Sequence, residues 1–222
     1  MNEATMIESK EKVHFCIRKK IYLVIKRIFD IVVSGFCLII LLPIFLFICI
    51  LIKLDSKGKV FYKHKRIGKH GEYIYLYKFR SMYSDSKERL EELLKNPQIR
   101  KEWEENYKLE HDPRITKVGN ILRKTSLDEL PQLLNILKGD MSLVGPRPVI
   151  DEEIEKYGLY KNKFLSVTPG LTGWWACNGR SCTSYEKRME LELYYIENCS
   201  ILLDIKCILK TIIAVIKRNG AE

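Results

Sequence analysis

The adjacent acids Asp128 and Glu129 are the residues in this sequence best placed to do chemistry, because cations surround them in sequence. Arg123 and Lys124 precede the pair, and Val144-Gly145-Pro146-Arg147-Pro148 follows it. Two ionised carboxylates among cations suit a nucleophile and a Mg2+ ligand acting on a phosphorylated compound, since phosphoryl transfer is mostly charge neutralisation and positioning. Arg147 lies between two prolines, whose fixed φ keeps the backbone extended and lowers the entropy lost when a guanidinium grips an anion. Lys78 and Arg80 in Tyr77-Lys78-Phe79-Arg80-Ser81-Met82, and Arg180 in Asn178-Gly179-Arg180, supply further cations. The plainer alternative is that the acids only cap a helix, and the basic residues weigh against it.

A helix must position this pair. Leu130, Leu133, Leu134 and Leu137 form its apolar stripe and Gly139 its stop. Either Ser126 caps it, with Glu129 closing a capping box, or Asp128 caps it with Pro131 in the first turn. In both registers the acids stand at a helix N-terminus, which would hold their pKa low. Upstream, Val60–Arg66 and Tyr73–Phe79 read as a short β-hairpin around Gly68 and Gly71. Ser84–Glu110 reads as two amphipathic helices divided at Pro97. Near the C-terminus, Ile201–Arg218 predicts a helix with Lys206, Lys210 and Lys217 in one narrow sector, a pattern suited to lying in a membrane interface with lysines toward anionic headgroups.

The 222 residues carry a formal charge of +10, which implies an anionic partner: nucleic acid, a phospholipid surface or a phosphorylated small molecule. No helix-turn-helix, zinc-finger or RNP pattern is present, so nucleic acid is not expected. The seven cysteines are odd in number and two fall in an apolar run, which argues for a reducing setting and against a disulfide framework. Their spacing predicts no cysteine-ligated metal. The run itself, Ile31 to Ile52, holds 22 residues without a charge. A helix of that length would reach about 33 Å, enough to cross a bilayer core. Pro43 interrupts it, however, and basic residues flank both ends, as on a cytoplasmic side. These residues leave a span and a re-entrant hairpin equally open. Asp30, at the start of the run, needs a partner, and Arg27 is the nearest on its helix face.

Seven segments in order resemble the bacterial sugar transferase family, the monotopic phosphoglycosyl transferases. They are Lys26–Asp30, Arg66-Ile67-Gly68, Tyr77–Met82, Asp112–Thr116, Leu122–Gln132, Lys138–Pro148 and Pro169–Gly173, and the likeness covers about residues 26–219. The resemblance implies transfer of a sugar-1-phosphate from a UDP-sugar to undecaprenyl (polyprenyl) phosphate with release of UMP, galactose and glucose leading among the sugars. It implies Asp128 as the nucleophile, Glu129 as its partner, Mg2+ held by Asp128 and Glu129, and Lys78, Arg123, Arg147 and Arg180 around the phosphates. The fold it implies is α+β and predominantly helical: a charged segment over 1–25, a re-entrant membrane helix over 26–54 hinged at Pro43, and a cytosolic, membrane-associated catalytic domain over 55–222. Its interfacial amphipathic helices would meet inner-leaflet phospholipids on the cytoplasmic face of the inner membrane, with room for a homodimer. Leu42 stands where the family often has Ser before the proline, and Gly173-Trp174-Trp175-Ala176 replaces Gly-Leu-Trp-Gln. A catalytically silent scaffold of glycan assembly is the alternative of a different class.

Overall fold

The structure is a computed structural model that describes residues 3–106, 109–179 and 183–216. A long helix, α1 (Glu3–Asp55), leads into the antiparallel hairpin of β1 (Phe61–Ile67) and β2 (Tyr73–Phe79), then α2 (Ser86–Leu93) and α3 (Pro97–Asn106). Next come α4 (Lys117–Lys124), a 3-10 turn over Leu127–Glu129, α5 (Gln132–Lys138) and β3 (Ser142–Val144). After α6 (Asp151–Glu155) and α7 (Lys161–Leu165), β4 (Gly170–Thr172) pairs parallel with β3, and α8 (Tyr185–Asn198) and α9 (Ile201–Ile216) follow. The predominantly helical α+β class, the hairpin, the helix break at Pro97 and the left-handed Gly139 that ends α5 all agree with the sequence.

The membrane element differs from its expectation. α1 runs through Pro43 as one helix, with no hairpin there. The reason lies in its two stripes. Val33, Cys37, Leu38, Leu41, Phe45, Ile48, Cys49 and Ile52 recur at helical spacing and pack on the rest of the protein. This packing holds the chain on both sides of Pro43 against one surface and outweighs the lost hydrogen bond. Pro43 itself is exposed on the other face, among Val32, Phe36, Ile39, Ile40, Phe47, Ile50 and Leu54.

Polar contacts fix both ends of the uncharged stretch to the same body. At its start, Asp30 accepts the backbone N–H of Leu143 at 2.9 Å, while Arg27 donates to the carbonyls of Ile136 (2.6 Å) and Leu137 (2.8 Å) at the end of α5. Arg27 thus satisfies helix carbonyls, and the expected Asp30–Arg27 pairing gives way to two contacts across the fold. Earlier on α1, Lys26 and Tyr22 each reach Asp204 of α9 at 2.9 Å, and Tyr195 donates to the same carboxylate at 2.6 Å. At the far end, Asp55 accepts the N–H of Val118 at 3.1 Å, and Arg80 donates to the carbonyls of Ile52 and Ser56. Arg80 is therefore a clasp on the end of α1.

One apolar cluster gathers Ile136, Met141, Val144, Val149, Tyr157, Phe164, Tyr195 and Cys207; a second joins Phe45, Ile48 and Ile52 to Phe79 and Leu122. Between them Asn135, fully buried, accepts the N–H of Tyr77 (2.9 Å) and donates to the carbonyl of Tyr75 (2.8 Å), so α5 is hydrogen-bonded onto β2. That contact sets the start of α5 beside the strand that carries Lys78. On α9, Cys207 and Asp204 face inward, and Leu202, Leu209, Ile212 and Ile213 stay exposed. Lys206 and Lys210 stand over the Trp174 ring at 5.3 and 4.9 Å, and Lys210 donates to Asn178 at 2.6 Å. The two lysines are thus engaged by a loop of the protein, where the sequence pointed them at headgroups; Lys217 lies outside the described residues.

Candidate active site

The carboxylate pair sits on the 3-10 turn over Leu127–Glu129, and neither proposed cap forms. Ser126 makes no cap hydrogen bond and adopts a left-handed φ of 57°, a conformation that costs a non-glycine residue about 1 kcal/mol. Leu127 and Leu130 bracket the acids and pack toward the Phe45–Ile52 stripe of α1. The apolar helix therefore forms part of the support on which Asp128 and Glu129 rest.

Asp128 is buried and Glu129 half-buried. Lys78, reaching across from β2, places Nζ 2.6 Å from Glu129 Oε1 and 3.8 Å from Asp128 Oδ2. Burial pushes the Asp128 carboxyl above the usual aspartate range; Glu129 adds to the rise, and Lys78 and Arg123 oppose it. This corrects the expectation of a carboxylate held low by a helix. α5 begins only at Gln132, so no helix N-terminus is aimed at Asp128, and desolvation prevails.

Arg66, Leu76, Lys78, Glu129, Gln132, Arg147 and Pro148 line one open pocket with Gly170 and Leu171. The structure thus brings Lys78, Glu129 and Arg147 together, with Asp128 beside Lys78. Arg123 lies close enough to act on the Asp128 charge, and its Nε donates to Ser81 Oγ at 2.9 Å. Arg180 lies outside the described residues. Arg147 is exposed, and its backbone N–H is held by buried Glu192 at 3.1 Å.

Several residues at the site escaped the sequence reading. Arg66 projects from the same hairpin face as Lys78, paired at 3.6 Å with Glu153. Gln132, 3% exposed, lines the same pocket and places an amide among its cations. His64, on the face of Arg66 and Lys78, is pushed down to about 4 by burial and by the charges of Arg66, Lys78 and Arg147, so it is neutral at physiological pH. Conversely, Asp112 and Arg114 form a buried pair with contacts of 2.6 and 2.8 Å, a structural brace rather than part of the pocket.

A fit for Mg2+ rests on the donor set. Among the described residues no three His, Cys, Asp or Glu side chains gather in a metal-holding group. Asp128 and Glu129 would supply two carboxylates, and phosphate oxygens and water the rest, which is how Mg2+ is often held.

A carboxylate pair beside a cationic pocket, braced by an apolar helix, is an arrangement chemically able to engage a phosphorylated group next to an apolar surface. Residues 21–218 match the family model described as bacterial sugar transferase, and the chain belongs to that family. It is 47% identical over 198 residues to the undecaprenyl-phosphate galactose phosphotransferase of Salmonella typhimurium, covering 89% of this chain and 41% of that protein. It is 45% identical over 197 residues to the exopolysaccharide production protein ExoY of Rhizobium meliloti, covering 88% of this chain and 87% of that one. The UDP-glucose:undecaprenyl-phosphate glucose-1-phosphate transferase of Escherichia coli is 38% identical over 196 residues, 85% of this chain and 39% of its own length. The chain thus spans about two-fifths of the length of the first and third of these relatives.

Proposed function

We infer that the protein transfers a hexose-1-phosphate from a UDP-sugar to undecaprenyl phosphate and releases UMP. The observation that carries this reading is the Asp128–Glu129 pair held by Lys78 in a pocket with Arg66 and Arg147, in a chain whose relatives are named for that transfer. An oxygen of ionised Asp128 attacks the β-phosphorus; the bond to the bridging oxygen breaks, and UMP leaves with its electron pair. An oxygen of the lipid phosphate then attacks the same phosphorus, and the Asp128 carboxylate is regenerated. Splitting the transfer keeps two anionic substrates from crowding the pocket together. Lys78, Arg66, Arg123 and Arg147 bind and neutralise phosphate oxygens, and Gln132 offers an amide donor beside them. Mg2+ held by Asp128 and Glu129 would supply further charge neutralisation.

Purified protein in nanodiscs, offered a panel of UDP-sugars with polyprenyl phosphate, is expected to release UMP from UDP-galactose or UDP-glucose. Absence of UMP with every sugar would refute the reading. The pH dependence supplies a second check. Because Lys78 favours the ionised form of Asp128, Lys78→Met is expected to move the acidic limb of the kcat profile to higher pH, whereas an unmoved limb would separate Lys78 from the nucleophile.

The same reading seats the protein on the cytoplasmic face of the membrane without crossing it. Tyr22, Lys26 and Asp30 at one end of the apolar stretch and Ile52 and Asp55 at the other all bond to one body, which a bilayer could not divide. The exposed stripe from Val32 to Leu54 enters the leaflet while the opposite stripe stays on the domain. Cysteine labels at positions 10 and 57 are expected to be shielded from impermeant reagent outside intact cells; labelling of one alone would establish a span.

A further inference from the structure

We propose that the groove beside Trp175 is the nucleoside subsite of the donor, with Trp175 the platform on which the uracil ring lies. The inference rests on the transfer reading above and assigns a second pocket which that reading does not use.

This shallow pocket, open to solvent, is lined by Gly145, Arg147, Gly170 through Gly173, Trp175, Ala176 and Glu192. It shares Arg147, Gly170 and Leu171 with the pocket that holds Lys78 and Glu129, so the two form one groove on either side of Arg147. Its floor is backbone. A Cβ at Gly145 would come within 2.5 Å of the Thr168 carbonyl oxygen, and one at Gly173 within 2.1 Å of the Gly145 carbonyl oxygen, so only glycine lets these segments approach. One wall is the Trp175 ring. Its indole N–H is occupied by Thr183 at 2.8 Å, which fixes the ring plane. Two guanidinium groups lie over the ring: buried Arg188, 4.7 Å from the centroid and outside the pocket lining, and exposed Arg147, 6.0 Å from the centroid and part of that lining. A donor phosphate that draws Arg147 toward Lys78 would leave the pocket side of the ring to the base.

The connectivity of the donor decides which end occupies it. The sugar hangs directly on the phosphorus that Asp128 attacks, so it stays at the Lys78–Glu129 end. The nucleoside is separated from that phosphorus by a second phosphate, and a phosphate held by Arg147 leaves the base beyond the arginine, where the groove continues to Trp175. A flat π face suits a pyrimidine, because base–aromatic stacking binds without needing a hydrogen-bond code.

The test measures ligand binding to the full chain in nanodiscs by calorimetry. UMP carries base and one phosphate, galactose 1-phosphate carries sugar and phosphate, and inorganic pyrophosphate carries neither base nor sugar. Trp175→Ala is expected to weaken UMP on the order of tenfold or more while leaving the other two unchanged, and Trp175→Phe to restore most of the loss. Unchanged UMP affinity, or galactose 1-phosphate weakened in its place, would overturn the proposal. Photocrosslinking of the unaltered protein with 5-iodo-UMP needs no variant to fold: the adduct is expected on Trp175, and an adduct elsewhere counts against it. Trp175-dependent UMP binding without transfer from any UDP-sugar would retain the subsite and refute the transfer reading.

Discussion

Asp128→Asn is expected to eliminate UMP release, lowering turnover on the order of 10⁴-fold or more, since the amide cannot form the phosphoryl ester. Its fold should survive. Asp128 carries burial as its dominant perturbation, so the neutral isostere removes a desolvated acid without removing volume. A melting temperature equal to or above that of the unaltered protein, together with lost turnover, would place the defect in chemistry. Glu129→Gln should be milder, on the order of 10²-fold, because it weakens positioning and leaves the attacking group in place.

The largest expected effect on stability lies away from the pocket. Asp204 receives Lys26, Tyr22 and Tyr195 and is 3% exposed, so Asp204→Ala strands a mostly buried ammonium and two hydroxyls at the junction of α1 and α9. Breaking a buried pair from one side costs about 3–5 kcal/mol, which for a chain of this size lowers the melting temperature on the order of 10 °C. Asp204→Asn retains an acceptor for the tyrosines and should lose less. Circular dichroism melts in one detergent compare the three proteins. Equal melting temperatures would mean that the Lys26–Asp204 contact does not hold the apolar helix to the domain.

Local chemistry made much of this architecture legible. The hairpin announced itself through glycine turns and β-branched and aromatic runs, Pro97 through its place between two amphipathic patterns, and Gly139 through its position after a leucine stripe. Asp128, Glu129, Lys78 and Arg147 were recognisable because their types are chemically matched. Long-range pairing supplied the rest. The first strand runs Phe61–Ile67 where the sequence suggested Val60–Arg66, and the cross-strand register that sets His64 and Arg66 on the face of Lys78 comes from pairing between the strands, which their separate patterns did not reveal. β3 and β4 hold three residues each and pair across an intervening stretch with two helices, too little periodicity to read. Glu192 stands among other acids of a polar helix, and only burial against Tyr157, Arg188 and the Arg147 backbone distinguishes it. Pro43 misled for the opposite reason. A local breaker was read without the apolar stripe that tertiary packing places on its helix.

The central claim is that Asp128 takes up the sugar phosphate before the lipid arrives. Intact-protein mass spectrometry tests it directly, with the protein mixed with UDP-galactose or UDP-glucose and no polyprenyl phosphate. The account predicts a gain of one hexose phosphate mapped to Asp128, one UMP released per protein molecule, and loss of the adduct when polyprenyl phosphate is added. UMP that forms only in the presence of the lipid, with no adduct and with undiminished yield from Asp128→Asn, would contradict it.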